Sequence, residues 1–160
     1  MTKKHSALTQ VLLALIPYSR QNLLLSFSPN KFFNELEKTS GCRTETLKAA
    51  YKRGEHRGLI DKKAKAPKLT KLGFRKVLPF VATRLSGQVT LMVIFDVPEK
   101  HSGKRQQLRR LLKDWEFRQV QKSVWSTNLD YRQELVEVIS ELELGGFVEI
   151  YESARLFPTS

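Results

Sequence analysis

The run VTLMVIF, Val89 to Phe95, constrains the fold of this chain more than any other stretch. It is apolar on both alternating faces, which predicts a central strand covered on both sides. It runs straight into Asp96 and Pro98. A carboxylate at the end of a buried strand is either a metal ligand or a structural anchor.

The elements after it extend the pattern. In GKRQQLRRLLKDWEF, Leu108, Leu111, Leu112 and Trp115 recur at i, i+3, i+4 and i+7, an amphipathic helix with Arg105, Arg109, Arg110 and Lys113 on its outer side. FRQVQKSVWST is strand-like, and its alternation breaks around Gln121 to Ser123, predicting two short strands joined by a turn or bulge. Asp130 and Gln133 have the spacing of a capping box. The helix they open would bury Leu135, Val138, Ile139 and Leu142, expose Glu134, Glu137 and Glu141, and end at Gly145-Gly146. FVEIY is a last strand. The order strand, helix, strand, strand, helix, strand is the ferredoxin-like βαββαβ pattern. Both helices would cover one face of the sheet, a basic helix beside an acidic one. The other face would stay open, and a second copy of the chain is its simplest cover.

Residues 1–88 read differently. They carry 18 Lys/Arg against 5 Asp/Glu, whereas residues 89–160 carry 10 against 11. Charge of one sign gathered in one region is the footprint of a polyanion binder. Leu8, Val11, Leu12 and Leu15 have helical spacing. SPNKFFNELEKTSG reads as a short helix with Ser28 as N-cap, Pro29 in the first position and Gly41 past the end. Thr44 would cap a second helix, TETLKAAYKRGEHRG, with Leu47, Ala50, Tyr51 and Gly54 on one face and Arg43, Lys48, Lys52 and Arg53 around the others. Gly54 and Gly58 weaken that helix and predict its end near Glu55. Two short helices about a tight turn suit a helix-turn-helix, whose second helix enters the major groove. GLIDKKAKAPKLTKLG then predicts two short strands, with Lys62, Lys63 and Lys65 at the tip and Lys68 on the return, similar to a wing. Lysines on such a tip suit phosphates rather than base edges. Phe74 to Gly87 holds a short helix that Pro79 would end or kink. The predicted boundary lies near residue 86: a winged helix-turn-helix over 1–86 and a ferredoxin-like domain over 87–160, an α+β chain.

The single cysteine, Cys42, excludes an internal disulfide framework and a cysteine-rich zinc site. VLLALI, Val11 to Ile16, is far short of the roughly 20 residues of a membrane helix. It follows Lys3 and Lys4, but no small-x-small cleavage site comes after it. A cytoplasmic protein without a membrane segment is expected.

Taken together, VIFDVPEKHSGKRQQLRRLLKDWEFRQVQKSVWST resembles the ferredoxin-like domain shared by PaaX-type transcriptional repressors and the CRISPR adaptation protein Cas2, over roughly residues 89–151. An N-terminal winged helix fits the PaaX arrangement and is absent from ordinary Cas2 proteins. Against full-length PaaX proteins, which continue into a C-terminal helical domain, the resemblance implies a chain truncated after Ser160.

The leading expectation is a dimeric DNA-binding regulator, a repressor by the resemblance, without a cofactor. It would bind double-stranded DNA as a homodimer through Arg43, Thr44, Lys48, Lys52 and Arg53 in the groove and Lys62, Lys63, Lys65 and Lys68 on phosphates. In the alternative, a CRISPR-associated Cas2-type protein, the chain is either a non-catalytic spacer-adaptation subunit or a metal-dependent nuclease. For the nuclease the resemblance implies that Asp96 from two subunits holds Mg2+ or Mn2+ at the dimer interface. A third class is a toxin–antitoxin or protein-interaction module that uses the basic half on RNA. Asp96 itself is expected to be structural, accepting hydrogen bonds from backbone amides of the turn or of the following helix.

Overall fold

The computed structural model describes residues 5–16, 20–63 and 66–154. Backbone contacts divide the chain into two compact units, Met1–Val77 and Leu78–Ser160.

The first unit is built from helices. Ser6 opens α1 (Ala7–Ala14) by accepting the Thr9 N–H at 3.1 Å. Then come α2 (Arg20–Phe27), α3 (Pro29–Ser40) and α4 (Thr44–His56). Val11, Leu12, Phe32, Phe33, Leu36, Leu47 and Ala50 are buried together, the apolar stripes that helical spacing places inward. As expected from its terminal residues, α3 has Pro29 in its first turn and ends at Gly41, whose φ of 68° is the left-handed conformation glycine adopts freely. The expected Thr44 cap does not form. Arg43 holds the cap position of α4, and the Thr44 hydroxyl donates to the Glu37 carboxylate on α3 instead. A carboxylate acceptor outcompetes the neutral cap geometry, and the bond ties the two helices together.

After α4 the strands β1 (Ile60–Asp61) and β2 (Lys68–Leu69) pair antiparallel, Ile60 opposite Leu69 and Asp61 opposite Lys68. The segment KLTKLG accounts for the next turn. Leu69 is buried, and Thr70 donates its hydroxyl to the Gly58 carbonyl at 2.6 Å while accepting the Gly73 N–H at 3.1 Å. That last bond caps α5 (Lys71–Val81). Gly73 is required here: a Cβ on it would lie 2.0 Å from the Leu59 carbonyl oxygen. The helix expected from Phe74 therefore starts earlier, at Lys71, and runs through Pro79 to Val81. Gly54 stays inside α4, which continues to His56, and its missing side chain makes room for Ile60.

The second unit is an antiparallel sheet with helices. Its elements are β3 (Val89–Phe95), a 3-10 turn (Glu99–His101), α6 (Ser102–Asp114), β4 (Arg118–Gln121), β5 (Val124–Thr127), α7 (Arg132–Glu141) and β6 (Val148–Ala154). The strands lie in the order β4-β5-β3-β6, and the β4/β5 pairing shifts register between Gln119 and Gln121, as the broken alternation there predicts. Residues 83–85 add to this unit: the Leu85 N–H donates to Asn128 O and the Asp130 N–H to Thr83 O, both at 2.8 Å.

β3 is central, but within the chain it is covered on one face. Leu91, Val93 and Phe95 are buried, while Thr90, Met92 and Ile94 between them are half-buried. On that face Trp125 lies opposite Val93 and Val148 opposite Phe95, and Leu108, Leu112, Leu135, Val138 and Ile139 of α6 and α7 are buried as well. The two helices run antiparallel. Lys104 near the start of α6 pairs with Glu143 just beyond α7, and Trp115 at the far end lies 5.1 Å from Tyr131 at the start of α7.

Two local expectations fail for electrostatic reasons. The capping box at Asp130 is absent, because its carboxylate forms a fork with Arg132 at 2.9 and 2.6 Å, and Arg132 also reaches Glu152 on β6. The chain reverses after α7 at Glu143, which has φ 55°, rather than at Gly145-Gly146. The ion pair of Glu143 with Lys104 favours that placement.

Candidate nucleic-acid interface

α4 positions most of the expected groove residues. Leu47, Ala50 and Gly54 are buried, so the 3.6-residue repeat turns Lys52 and Arg53 outward, and both are exposed. Lys48 lies at the flank, its Nζ 3.4 Å from Glu45, an exposed pair worth a few tenths of a kcal/mol, about 0.3–0.5. Arg43 is exposed just before the helix. Thr44 is half-buried and committed to Glu37, so it is the one candidate already engaged within the fold.

Tyr51 stands between these cations and the core, its ring 6.0 Å from that of Phe33. Burial, then the charge of Glu55 and a hydrogen bond to it, pushes the Tyr51 phenol up to about 12. It therefore stays a protonated donor that holds Glu55 at the inner edge of the basic face.

The hairpin brings further cations close. The Asp61 carboxylate accepts the Lys63 N–H at 2.9 Å, a local turn that redirects the chain after β1. Lys62, Lys63 and Lys68 are exposed. Lys65 lies outside the described residues. Lys52, Glu55, His56, Ile60, Asp61, Lys62 and Lys63 line one cleft of about 400 Å3 between the end of α4 and the hairpin. So Lys52 from the proposed groove set and Lys62 and Lys63 from the phosphate set share a single surface. His56 was missed at the sequence level, where the helix was expected to stop at Glu55. Its spacing four residues after Lys52, on the same helical face, was the signal for it.

Asp96 is placed differently from the expectation. Its backbone N–H donates to the Phe147 carbonyl at 2.9 Å, but its side chain is exposed, and among the described residues no hydrogen bond reaches the carboxylate. The turn amides go elsewhere: the His101 N–H bonds the Pro98 carbonyl at 2.9 Å. Of its neighbours, Glu99 is paired with Arg105 at 2.8 Å, and the His101 ring lies 5.6 Å from that of Phe147. Among the described residues no three His, Cys, Asp or Glu side chains gather into a metal-binding group. A divalent ion here would need oxygen donors beyond the single uncommitted carboxylate of one chain.

With this geometry in view, residues 90–159 match the family described as the PaaX protein central Cas2-like domain. The match spans β3 to β6, and it is consistent with a transcriptional regulator. No curated protein matches the chain. Among the described residues, no helix is long and apolar enough to cross a membrane.

Proposed function

We propose that this chain is a dimeric, cytoplasmic DNA-binding transcriptional regulator, a repressor of PaaX type. In it residues 1–86 act as a winged helix and residues 87–160 as a ferredoxin-like pairing domain. The observation that carries the reading is the shared basic surface of α4 and the β1–β2 hairpin. A helix follows a tight turn, then two short antiparallel strands, and Lys52, Lys62 and Lys63 from the helix and the hairpin line one cleft, in a half with 18 Lys/Arg and 5 Asp/Glu. The strand order β4-β5-β3-β6 with both helices on one face supports the ferredoxin-like reading. The half-covered face with Met92, Ile94 and Val124 is the surface on which a second copy would sit. Arg43, Lys48, Lys52 and Arg53 then face the major groove, and Lys62, Lys63, Lys65 and Lys68 its phosphates. Thr44 would contribute through the position of α4 rather than by contact.

Footprinting the full chain on DNA from upstream of its own gene tests this. Two protected half-sites about one helical turn apart, or a multiple of it, are expected. Absence of protection, or protection of one isolated half-site, overturns it.

The exposed Asp96 favours one second reading, a Cas2-type metal-dependent nuclease with paired Asp96 carboxylates across a dimer. Cleavage of DNA or RNA that needs magnesium or manganese and vanishes in Asp96→Asn would put that reading first.

A further inference from the structure

The near-neutral charge of the second unit hides a separation. Between residues 100 and 122 there are eight Lys/Arg and two Asp/Glu, and between 123 and 154 one Arg and seven Asp/Glu. The first stretch is α6 with β4, an edge strand, and the second holds α7 and β6, the opposite edge. The sheet is therefore basic along one side and acidic along the other.

The basic side sorts its cations into two groups. Lys104 and Arg105 are paired with Glu143 and Glu99. Arg109 is a strut: its guanidinium donates to the Lys122 carbonyl at 3.1 Å and stands 5.8 Å over the Phe95 ring. That bond ties the β4–β5 turn to the helix. Arg110, Lys113 and Lys122, in contrast, are exposed and have no carboxylate partner among the described residues. Arg110 and Lys113, three residues apart, share the outer face of α6. Exposed Gln106 and Gln107 flank them, and Asp114 and Glu116 lie at the far end.

We infer that this face, Arg110, Lys113 and Lys122, is a second contact surface for nucleic-acid phosphates. It rests on the DNA-binding reading above and extends it: the pairing unit also holds the duplex. Arg110 and Lys113 on the outer face of α6, with Lys122 in the turn whose backbone Arg109 ties to that helix, offer point charges to a phosphate backbone without reading bases. The acidic α7–β6 side of another copy is a poorer occupant. Joining opposite edges head to tail is a heterologous contact, which builds rings or open chains instead of a two-fold dimer. The tether to a DNA-binding half raises the effective phosphate concentration at α6, so even weak contacts there add to affinity.

The test uses full-length protein on duplex DNA across a salt series. Arg110→Gln/Lys113→Gln/Lys122→Gln should make the slope of log affinity against log salt shallower by about 0.9 for each phosphate no longer neutralised, near 3 per chain, with thermal unfolding and sedimented mass unchanged. The charge-keeping exchange Arg110→Lys/Lys113→Arg/Lys122→Arg should restore the slope. An unchanged slope in the triple Gln variant, with a shallower one in Lys52→Gln/Arg53→Gln, would overturn this inference and leave the winged-helix reading standing. Unchanged slopes in both variants would overturn both. A change of mass without a change of slope would make the face a self-association surface, and also overturn it.

Discussion

The two units place their charges by different rules. In the first, the helices α3 and α4 use apolar stripes for the core, and most cations are left over: Lys52, Arg53, Lys62 and Lys63 are exposed without ion pairs among the described residues. In the second, much of the charge is spent inside the unit. Arg132 bridges Asp130 and Glu152, Lys104 meets Glu143, and Arg105 holds Glu99. Exposed pairs of this kind contribute little to stability, about 0–1 kcal/mol each, but they fix side chains and cancel field. Uncommitted cations do the reverse: they leave a field for a polyanion to fill. Net charge alone misses this, because the second unit sums to almost nothing while carrying a basic and an acidic side.

The strongest way to break the comparison is to neutralise the first unit's face. Lys52→Gln/Arg53→Gln/Lys62→Gln/Lys63→Gln should weaken duplex binding by well over roughly 1000-fold near 0.1 M salt, because four phosphates per subunit, about eight per dimer, lose their partners. A gel-shift titration reads this, and a loss under tenfold would mean that the face is solvent-directed only. Sedimentation of the wild type at micromolar concentration should then give about twice the 18.5 kDa chain mass. A monomer would break the pairing role assigned to the sheet.

Gly73→Ala probes the first unit's packing. A Cβ 2.0 Å from the Leu59 carbonyl must displace backbone, so a cost of about 1–3 kcal/mol is expected, read as a lower Tm. The same change at Gly145 or Gly146, where a Cβ meets nothing within 4 Å, should cost far less.

One residue in each unit should make stability depend on pH, Tyr51 at the alkaline end and Asp130 at the acid end. Tyr51 has its phenol raised to about 12, so its contribution to stability is full below the ordinary value near 10 and is lost as pH rises from there through 12. Asp130 has its carboxyl lowered, first by the hydrogen bond from Arg132, so its contribution is present above the ordinary carboxylate value and fades as pH falls below it. Thermal unfolding against pH should show the alkaline loss flattened in Tyr51→Phe and the acid loss reduced in Asp130→Asn. The smallest effect belongs to Asp96→Asn. With an exposed carboxylate and no hydrogen bond to lose, stability and DNA affinity should change by less than about twofold.

Elements with strong periodicity were legible from the residues: β3, α6, the irregular β4–β5 pair, α3 with its proline and glycine ends, and β6. What was not legible turned on partners distant in sequence. Thr44 has a cap residue's chemistry, but Glu37 on the previous helix takes its hydroxyl. Asp130 and Gln133 have capping-box spacing, but Arg132 takes the carboxylate. The true cap of α5, Thr70, was hidden because its hydroxyl also serves Gly58, twelve residues earlier. At the candidate interface, the spacing marked Lys52 and Arg53 as outward. His56 was hidden by the early helix end, and Asp96 was misjudged because the strand's burial was extended one residue too far.

The central claim is that uncommitted cations of the basic half bind duplex DNA through its phosphates. The salt dependence of full-length binding tests it most directly. If about five phosphates are neutralised per subunit, a dimer's log affinity should fall against log salt with a slope of about −9, or steeper if α6 contributes. An affinity independent of salt would contradict it.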